Sequence, residues 1–231
     1  MTENIFSKSL TVLLVATAIL MATPSTQIWN PSTDIQAVGT VHLGIDNYFS
    51  IEGNLSKPFA FGTDFGITWG LFKNLEIGVD VVEPTAYPLY FNIKYGFAEA
   101  GGIPALAAGV FNIGTQRNIT DSNILYAVIA KTFDPIGRIS LGGYLGNDKL
   151  LVTETGAAAN TGLIVSWDKA VSDKIWLCVD YASGMSSYGC LSFGGSYAFA
   201  QNTTVIFGYV IFNNNILNTN NTFSTQLDIN L

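Results

Sequence analysis

Hydrophobic and polar residues alternate one by one along most of this chain from residue 37 onward. In 59–71 the apolar residues of one face alternate with the small or polar residues of the other, namely Phe65, Ile67, Trp69 and Leu71 against Asp64, Gly66, Thr68 and Gly70. Successive side chains of a β-strand point to opposite faces, so a period of two is typical of a strand with one apolar face. The pattern predicts an all-β fold.

Following the same period along the chain predicts about twelve strands. They are 37–50, 59–71, 75–83, 89–97, 105–114, 123–132, 137–147, 160–168, 174–183, 188–199, 203–213 and 222–231. The alternation is weakest in 105–114 and 123–132, because Ile124 to Ala130 is apolar on both faces. Most connections alternate between short turns and longer polar loops, which is typical of transmembrane barrels with both chain ends on the short-turn, periplasmic side.

The composition indicates where the apolar faces lie. Hydrophobic residues make up 48% of the chain and charged residues only 12%, which would leave a poorly solvated surface in water. Beyond residue 22, however, no apolar run approaches the roughly eighteen residues that a transmembrane helix needs. Strands that face lipid on one side satisfy both observations.

A soluble β-sandwich, exported from the cell, would also alternate, and the positions of the aromatic residues separate the two folds. Strands that run toward the short-turn side end in outward aromatic residues, namely Trp69, Tyr95, Phe97, Trp167, Tyr197 and Phe199. Sparser counterparts occur toward the opposite side, namely Phe49, Phe59 and Tyr181. Two aromatic girdles are typical of membrane barrels, so the pattern favours a barrel over a sandwich.

The last strand has apolar residues at alternate positions up to the terminal Leu231, among them Phe223, Leu227 and Ile229. It resembles the C-terminal assembly signal of Gram-negative outer-membrane proteins, although an aromatic last residue is usual there. The resemblance covers 37–231 and extends to the porin-like class of outer-membrane β-barrels rather than to one family within it. It implies a transmembrane, antiparallel, up-and-down barrel in the bacterial outer membrane.

The chain divides into three parts. Residues 1–25 are predicted to be a signal peptide, because Lys8 precedes the apolar run Leu10 to Met21; the cleavage site is not defined, and an uncleaved anchor is the alternative. Residues 26–36 are a polar segment containing Trp29, which either folds back into the periplasmic mouth and narrows it or forms a disordered leader. Residues 37–231 form the barrel.

Several function classes are disfavoured. A net charge of −7 argues against a nucleic-acid partner. His42 is the sole histidine, no G-x-S-x-G motif occurs, and one histidine with two cysteines offers no metal-ligand spacing, so we predict neither catalytic residues nor a metal or cofactor. The expected partners are outer-membrane lipid and small solutes or ions, with a periplasmic or surface protein as a further possibility.

A twelve-stranded barrel with many small inward residues, such as Gly44, Gly66 and Gly78, should leave a narrow water-filled channel, unless the glycines only relieve crowding. Charged residues predicted to line it are, in the outer half, Asp46, Asp64, Asp80 and Asp180, and in the inner half, Glu76, Lys94, Lys131, Arg138, Asp168 and Asp228. Glu76 and Lys94 are symmetric about Thr85, so they can pair across adjacent strands.

An acidic outer vestibule concentrates cations, so the sequence predicts a porin-like channel for small hydrophilic solutes or ions that prefers cations. The alternative is a non-conducting barrel that presents surface loops or houses a periplasmic partner. Cys178 and Cys190 are symmetric about Gly184 on consecutive strands, so they either form a disulfide in an oxidising compartment or remain as two free thiols.

Overall fold

The computed structural model describes residues 25–51 and 61–231, and in them all twelve predicted strands are present. The strands are β1 (Val41–Phe49), β2 (Thr63–Phe72), β3 (Leu75–Glu83), β4 (Leu89–Phe97), β5 (Ala105–Gly114), β6 (Ile124–Phe133), β7 (Gly137–Gly146), β8 (Thr161–Ala170), β9 (Ile175–Ala182), β10 (Cys190–Ala200), β11 (Thr203–Phe212) and β12 (Thr222–Asn230). The predicted signal peptide lies, apart from Ser25, outside the described residues.

Each strand pairs antiparallel with its neighbours in sequence, and the first strand pairs with the last. The register of this seam runs from His42 opposite Asn230 to Phe49 opposite Phe223. Closure leaves no strand edge with unpaired backbone groups. The predicted fold, a closed antiparallel barrel of twelve strands, is confirmed.

The two ends of the barrel differ. We call the end with the connections 73–74, 98–104, 134–136, 171–174 and 201–202 the short-turn end. We call the opposite end, where β1 ends and β2 begins and which has the connections 84–88, 115–123, 147–160, 183–189 and 213–221, the long-loop end. The start of β1 and the end of β12 both lie at the short-turn end.

The outward face of the barrel is apolar. Phe65, Ile67 and Trp69, which alternate along β2, are 44%, 52% and 43% exposed. Outward aromatic residues lie near both ends, although Phe59 falls outside the described residues. In the part of the chain that the structure describes, these outward side chains remain exposed and form a large apolar surface.

Among the described residues, no helix has the length and apolar character needed to cross a membrane.

The strand with two apolar faces, β6, is apolar on the inside because it packs against other inward side chains. Ile124, Tyr126 and Val128 face inward and are buried. They belong to one cluster of buried residues, which also contains Tyr144, Leu151, Ile164, Ala182 and Tyr188. Part of the barrel interior is therefore a hydrophobic core rather than an open lumen.

The strand predicted for 37–50 begins later, at Val41, because a turn precedes it. The backbone N–H of Thr40 donates to the carbonyl of Ala37 at 3.0 Å, and Gly39 has a φ of +85°. A left-handed φ is readily adopted by glycine, which lets the chain reverse at this point. The residues before the turn leave the barrel wall and enter the barrel.

Candidate functional site

Residues 25–36, which we call the plug, lie inside the barrel and are largely buried. Their first part folds as a tight hairpin, in which the N–H of Gln27 donates to the carbonyl of Asn30 at 2.7 Å. The N–H of Ser32 donates to the carbonyl of Ser25 at 3.2 Å. Ile28 and Trp29 therefore form the tip of the hairpin.

Both arms of the plug point to the short-turn end. The N–H of Gln36 donates to Oε2 of Glu76 at 2.7 Å, and Nζ of Lys94 donates to the carbonyl of Ser25 at 2.9 Å. Glu76 and Lys94 lie near the short-turn ends of β3 and β4. The hairpin thus enters from the short-turn end and runs toward the long-loop end.

The tip of the plug ends in an aromatic seat, formed by Tyr48, Phe61, Tyr188 and Phe212. The ring centroids of these residues lie 5.5 to 6.2 Å from that of Trp29. The indole Nε1 of Trp29 donates to the carbonyl of Tyr188 at 3.0 Å. Tilted and edge-on aromatic contacts of this kind add to the free energy of burying the ring.

Asp180, on β9, binds the tip of the plug through its carboxylate. Its Oδ2 accepts the backbone N–H groups of Ile28 at 2.9 Å, Trp29 at 3.0 Å and Asn30 at 3.4 Å. Its Oδ1 accepts the side-chain amide of Asn30 at 3.3 Å and the hydroxyl of Ser192. The carboxylate is completely buried, and each of these neighbours is a hydrogen-bond donor.

A second set of polar contacts holds the arms of the plug nearer the short-turn end of the barrel. Arg138 donates from Nε to Asp168 at 2.9 Å and from Nη1 to Asp34 at 2.7 Å. Asp168 also accepts Nε2 of Gln27 at 3.2 Å and Nε1 of Trp176 at 3.1 Å. Arg138 thereby joins a carboxylate of the plug to one of the wall.

Of the two alternatives for Cys178 and Cys190, the structure has the free thiols, and both residues are buried. The register of β9 and β10 places Cys178 opposite Gly194 and Cys190 opposite Ala182. The intervening loop is therefore centred on Ser186 rather than Gly184, which separates the two cysteines along the barrel axis. Sγ of Cys178 instead donates to Oε1 of Gln27 at 3.2 Å.

A cavity of about 390 Å³ remains between the plug and the wall formed by β1 to β5. Asp46, Asp64 and Asp80 line it. Asp46 and Asp64 are direct partners across β1 and β2, and Asp80 pairs with Gly66 on the other side of β2. The side-chain amide of Asn92 donates to Asp80. Three carboxylates thus form a row beside the plug, which we call the acidic row.

Charged residues nearer the short-turn end are paired with one another. Glu76 and Lys94 are register partners, as the spacing predicts, and their charged atoms lie 3.1 Å apart. Nε2 of His42 lies 3.4 Å from Oδ1 of Asp228. Both pairs line the part of the cavity nearer the short-turn end. Within each pair, the two charges offset each other when both partners are ionised.

Five predicted pore-lining residues face inward and contact the plug. Asp180, Asp168 and Arg138 contact it without lining the cavity, whereas Glu76 and Lys94 do both. One prediction is wrong: Lys131 lies on the outward side of β6, opposite Ile139, and pairs with Glu99 at 2.6 Å. With apolar residues on both faces of β6, the sequence does not define which parity points inward. The packing of Tyr126 and Val128 in the core decides it.

Two kinds of functional residue were not identified from the sequence. One is the set that receives the plug, which includes Tyr188 and Gln226; Nε2 of Gln226 donates to the carbonyl of Ile28 at 2.8 Å. The other is the asparagines of 213–221. Nδ2 of Asn214 donates to Glu154 at 2.6 Å and to the carbonyl of Met185 at 2.9 Å, which joins three long loops around the aromatic seat.

The acidic row, the aromatic seat and the plug contacts form one site inside the barrel.

No protein-family model and no curated protein matches the sequence. Among solved structures, a triple mutant of a Rhodopseudomonas blastica porin is similar with a TM-score of 0.41 and 14% identity, over 73% of this chain and 55% of that chain. The chain thus spans about half the length of that porin. An outer membrane channel from Pseudomonas putida is similar with a TM-score of 0.43 and 11% identity, over 85% of this chain and 96% of that chain. The structure itself has the closed, antiparallel, twelve-stranded barrel that the sequence predicts.

Proposed function

We propose that this protein is a channel of a bacterial outer membrane that conducts small cations through the space beside the plug. The apolar outward face supports a membrane location, since it would be poorly solvated in water. The acidic row supports the preference for cations. In this proposal, ions pass along the wall of β1 to β5, while the plug fills the opposite side of the barrel.

The observation that carries the proposal is the contrast between the carboxylates on the two sides of the barrel. On the plug side, Asp180 and Asp168 each accept several hydrogen bonds from neighbouring groups. On the cavity side, Asp46 and Asp64 face each other across adjacent strands. Two neighbouring carboxylates on a confined wall focus a negative potential, which raises the local concentration of cations.

The test is the reversal potential of the purified barrel in a planar bilayer with a salt gradient. We expect the parent to prefer cations and the variant Asp46→Asn, Asp64→Asn, Asp80→Asn to lose most of that preference. A matched control removes three carboxylates outside the barrel lumen, in Asp134→Asn, Asp148→Asn, Asp173→Asn. Since screening over a Debye length of about 8 Å weakens distant charges at physiological ionic strength, the control should keep the selectivity of the parent.

Selectivity for anions in the parent, or equal selectivity in the two triple variants, would contradict the role of the acidic row. The extent of the plug favours a second candidate function, a non-conducting barrel that presents its loops to a partner. The tip of the plug reaches the long-loop end, so it runs through much of the barrel length. A parent barrel that inserts into the bilayer without conducting would favour this second function.

A further inference from the structure

We propose that the plug is a displaceable gate, which swings out through the short-turn end about the turn at residues 37–40. The inference rests on the proposed channel function and adds regulation to it. In the closed position the plug fills one side of the lumen and the cavity remains beside it. In the open position the lumen between the plug contacts and the acidic row becomes one space.

The topology of the plug permits this movement. Both arms lie toward the short-turn end, so withdrawal does not require any part of the hairpin to pass through the barrel wall. The turn that connects the plug to β1 lies at the same end and contains Gly39, whose φ is +85°. Ala37, Val38 and Gly39 are exposed. The N–H of Gly39 donates to the carbonyl of Gly70 at 2.8 Å, so the turn is fixed to β2 at Gly39 and the movement takes place at the residues before it.

The polar contacts of the plug are incomplete. Within residues 25–51 and 61–231, three buried side-chain atoms of the plug have no hydrogen-bond partner, namely Oγ of Ser25, Oγ1 of Thr33 and Nε2 of Gln36. A buried polar atom without a partner loses the free energy of its bonds to water. Withdrawal into water restores those bonds, which offsets part of the free energy that the plug loses when it leaves its contacts with the wall.

Two points at the tip hold the plug in place. One is the carboxylate of Asp180, which accepts three backbone N–H groups of the hairpin. The other is the apolar contact of Ile28 and Trp29 with the wall, where Trp29 lies in the aromatic seat. The arms keep their polar contacts with Glu76, Lys94, Asp168 and Arg138, so the loss of tip contacts raises the fraction of open plug without removing every contact of the closed state.

The wall remains satisfied after the plug leaves. Asp168 keeps its bonds from Arg138 and Trp176, and Asp180 keeps the bond from Ser192. Water that enters the lumen can hydrate the remaining oxygens, so no buried charge is left without a partner. The barrel closure does not depend on the plug, since β1 pairs directly with β12.

The test uses the native thiol of Cys178, which is buried under Gln27 in the closed state. In the full chain carrying Cys190→Ser, a water-soluble methanethiosulfonate reagent should modify Cys178 in the folded barrel. The same chain without residues 26–35 sets the rate for a permanently open lumen. Full modification of the deletion variant with no modification of the plugged chain would overturn the gate.

A second measurement does not depend on the folding of the deletion variant. In the chain with Gln27→Cys and Cys190→Ser, dibromobimane should bridge Cys178 to the introduced thiol and become fluorescent once both ends have reacted. Conductance should then fall to the level carried by the cavity beside the plug, since the bridge removes the open state. The chain with Gln27→Ser and Cys190→Ser loses the same Gln27 contacts but has no second thiol in the plug, so dibromobimane should leave its conductance at the value measured before treatment.

Unchanged conductance of the bridged chain would overturn the gate. The two proposals can fail separately. If Cys178 is modified in the plugged chain but no variant conducts, the plug moves as proposed and the channel function is wrong. If the parent conducts and neither measurement detects movement, the channel function stands with a fixed plug.

Discussion

The replacement Asp180→Asn tests how the plug is held. It keeps the shape of the side chain but removes the charge and replaces one acceptor oxygen with a donor. Oδ2 of Asp180 faces three backbone N–H groups, and Oδ1 faces the amide of Asn30 and the hydroxyl of Ser192. Whichever way the new amide is oriented, its NH₂ group therefore points at hydrogen-bond donors.

The size of the effect follows from the two shortest backbone contacts, those of Ile28 at 2.9 Å and Trp29 at 3.0 Å. A hydrogen bond to a charged group contributes about 1.5–3 kcal/mol, and one between neutral groups about 0.5–1.5 kcal/mol. Loss of the charge thus costs about 1 kcal/mol per contact, or about 2 kcal/mol in total. Because about 1.4 kcal/mol corresponds to a factor of ten, the open fraction should rise about 30-fold.

The assay is the rate at which the methanethiosulfonate reagent modifies Cys178 in the Cys190→Ser background. Asp228→Asn is the matched control: Asp228 is a buried carboxylate of the lumen wall, whose partners His42 and Thr204 belong to the wall. We expect faster modification in Asp180→Asn and the parent rate in the control. An unchanged rate in Asp180→Asn, or equal acceleration in both variants, would refute the role of Asp180 in holding the plug.

Three further predictions concern other contacts. A Cβ at Gly208 would lie 2.7 Å from Cγ2 of Ile28, so Gly208→Val should displace the tip of the plug and accelerate modification of Cys178. In the control Gly143→Val the new Cβ meets nothing closer than 3.4 Å, so the rate of modification should not change. The hydrogen bond from Lys131 lowers the pKa of Glu99 in the folded protein. The charged carboxylate therefore stabilises the fold above the unfolded pKa of Glu99, and this contribution is lost as the pH falls through the lower folded pKa. Glu99→Gln should reduce the Tm at pH 7 and leave it unchanged at pH 2. Thiol labelling of the denatured, unreduced chain should detect two reactive cysteines, and detection of none would contradict the free thiols.

Alternation of apolar and polar residues was sufficient to predict the strands, because the outward and inward faces of a barrel wall have different surroundings at nearly every position. It was insufficient for β6, where Tyr126 and Val128 are buried inside and Leu125 and Ile129 are exposed outside. Because both faces of β6 are apolar, the local sequence does not indicate whether Lys131 points inward or outward. It was also insufficient at β1, where the turn at Gly39 replaces four predicted strand residues.

The interior site was predicted in part. The parity of Asp46, Asp64 and Asp80 in their strands indicated an inward acidic group, and the structure places them in the cavity. Asp180 and Asp168 have the same parity signal, but their bonds to the plug join residues more than a hundred positions apart. The fold-back of the polar segment was one of two expected alternatives. Its reach to the aromatic seat was not expected, because Tyr188 and Phe212 become neighbours of Trp29 only when the barrel closes.

The position of the plug also constrains the order in which the protein can assemble. Gln226, which binds the carbonyl of Ile28, follows it by 198 residues, and Asp180 follows it by 152. The hairpin is synthesised first, but its binding site exists only after the last strand has been made. Since β12 carries Gln226 and closes the seam with β1, the hairpin docks when or after the seam closes, and it can then enter through the short-turn end. Late truncations, such as loss of β12, should therefore leave the hairpin undocked even where the earlier strands have formed.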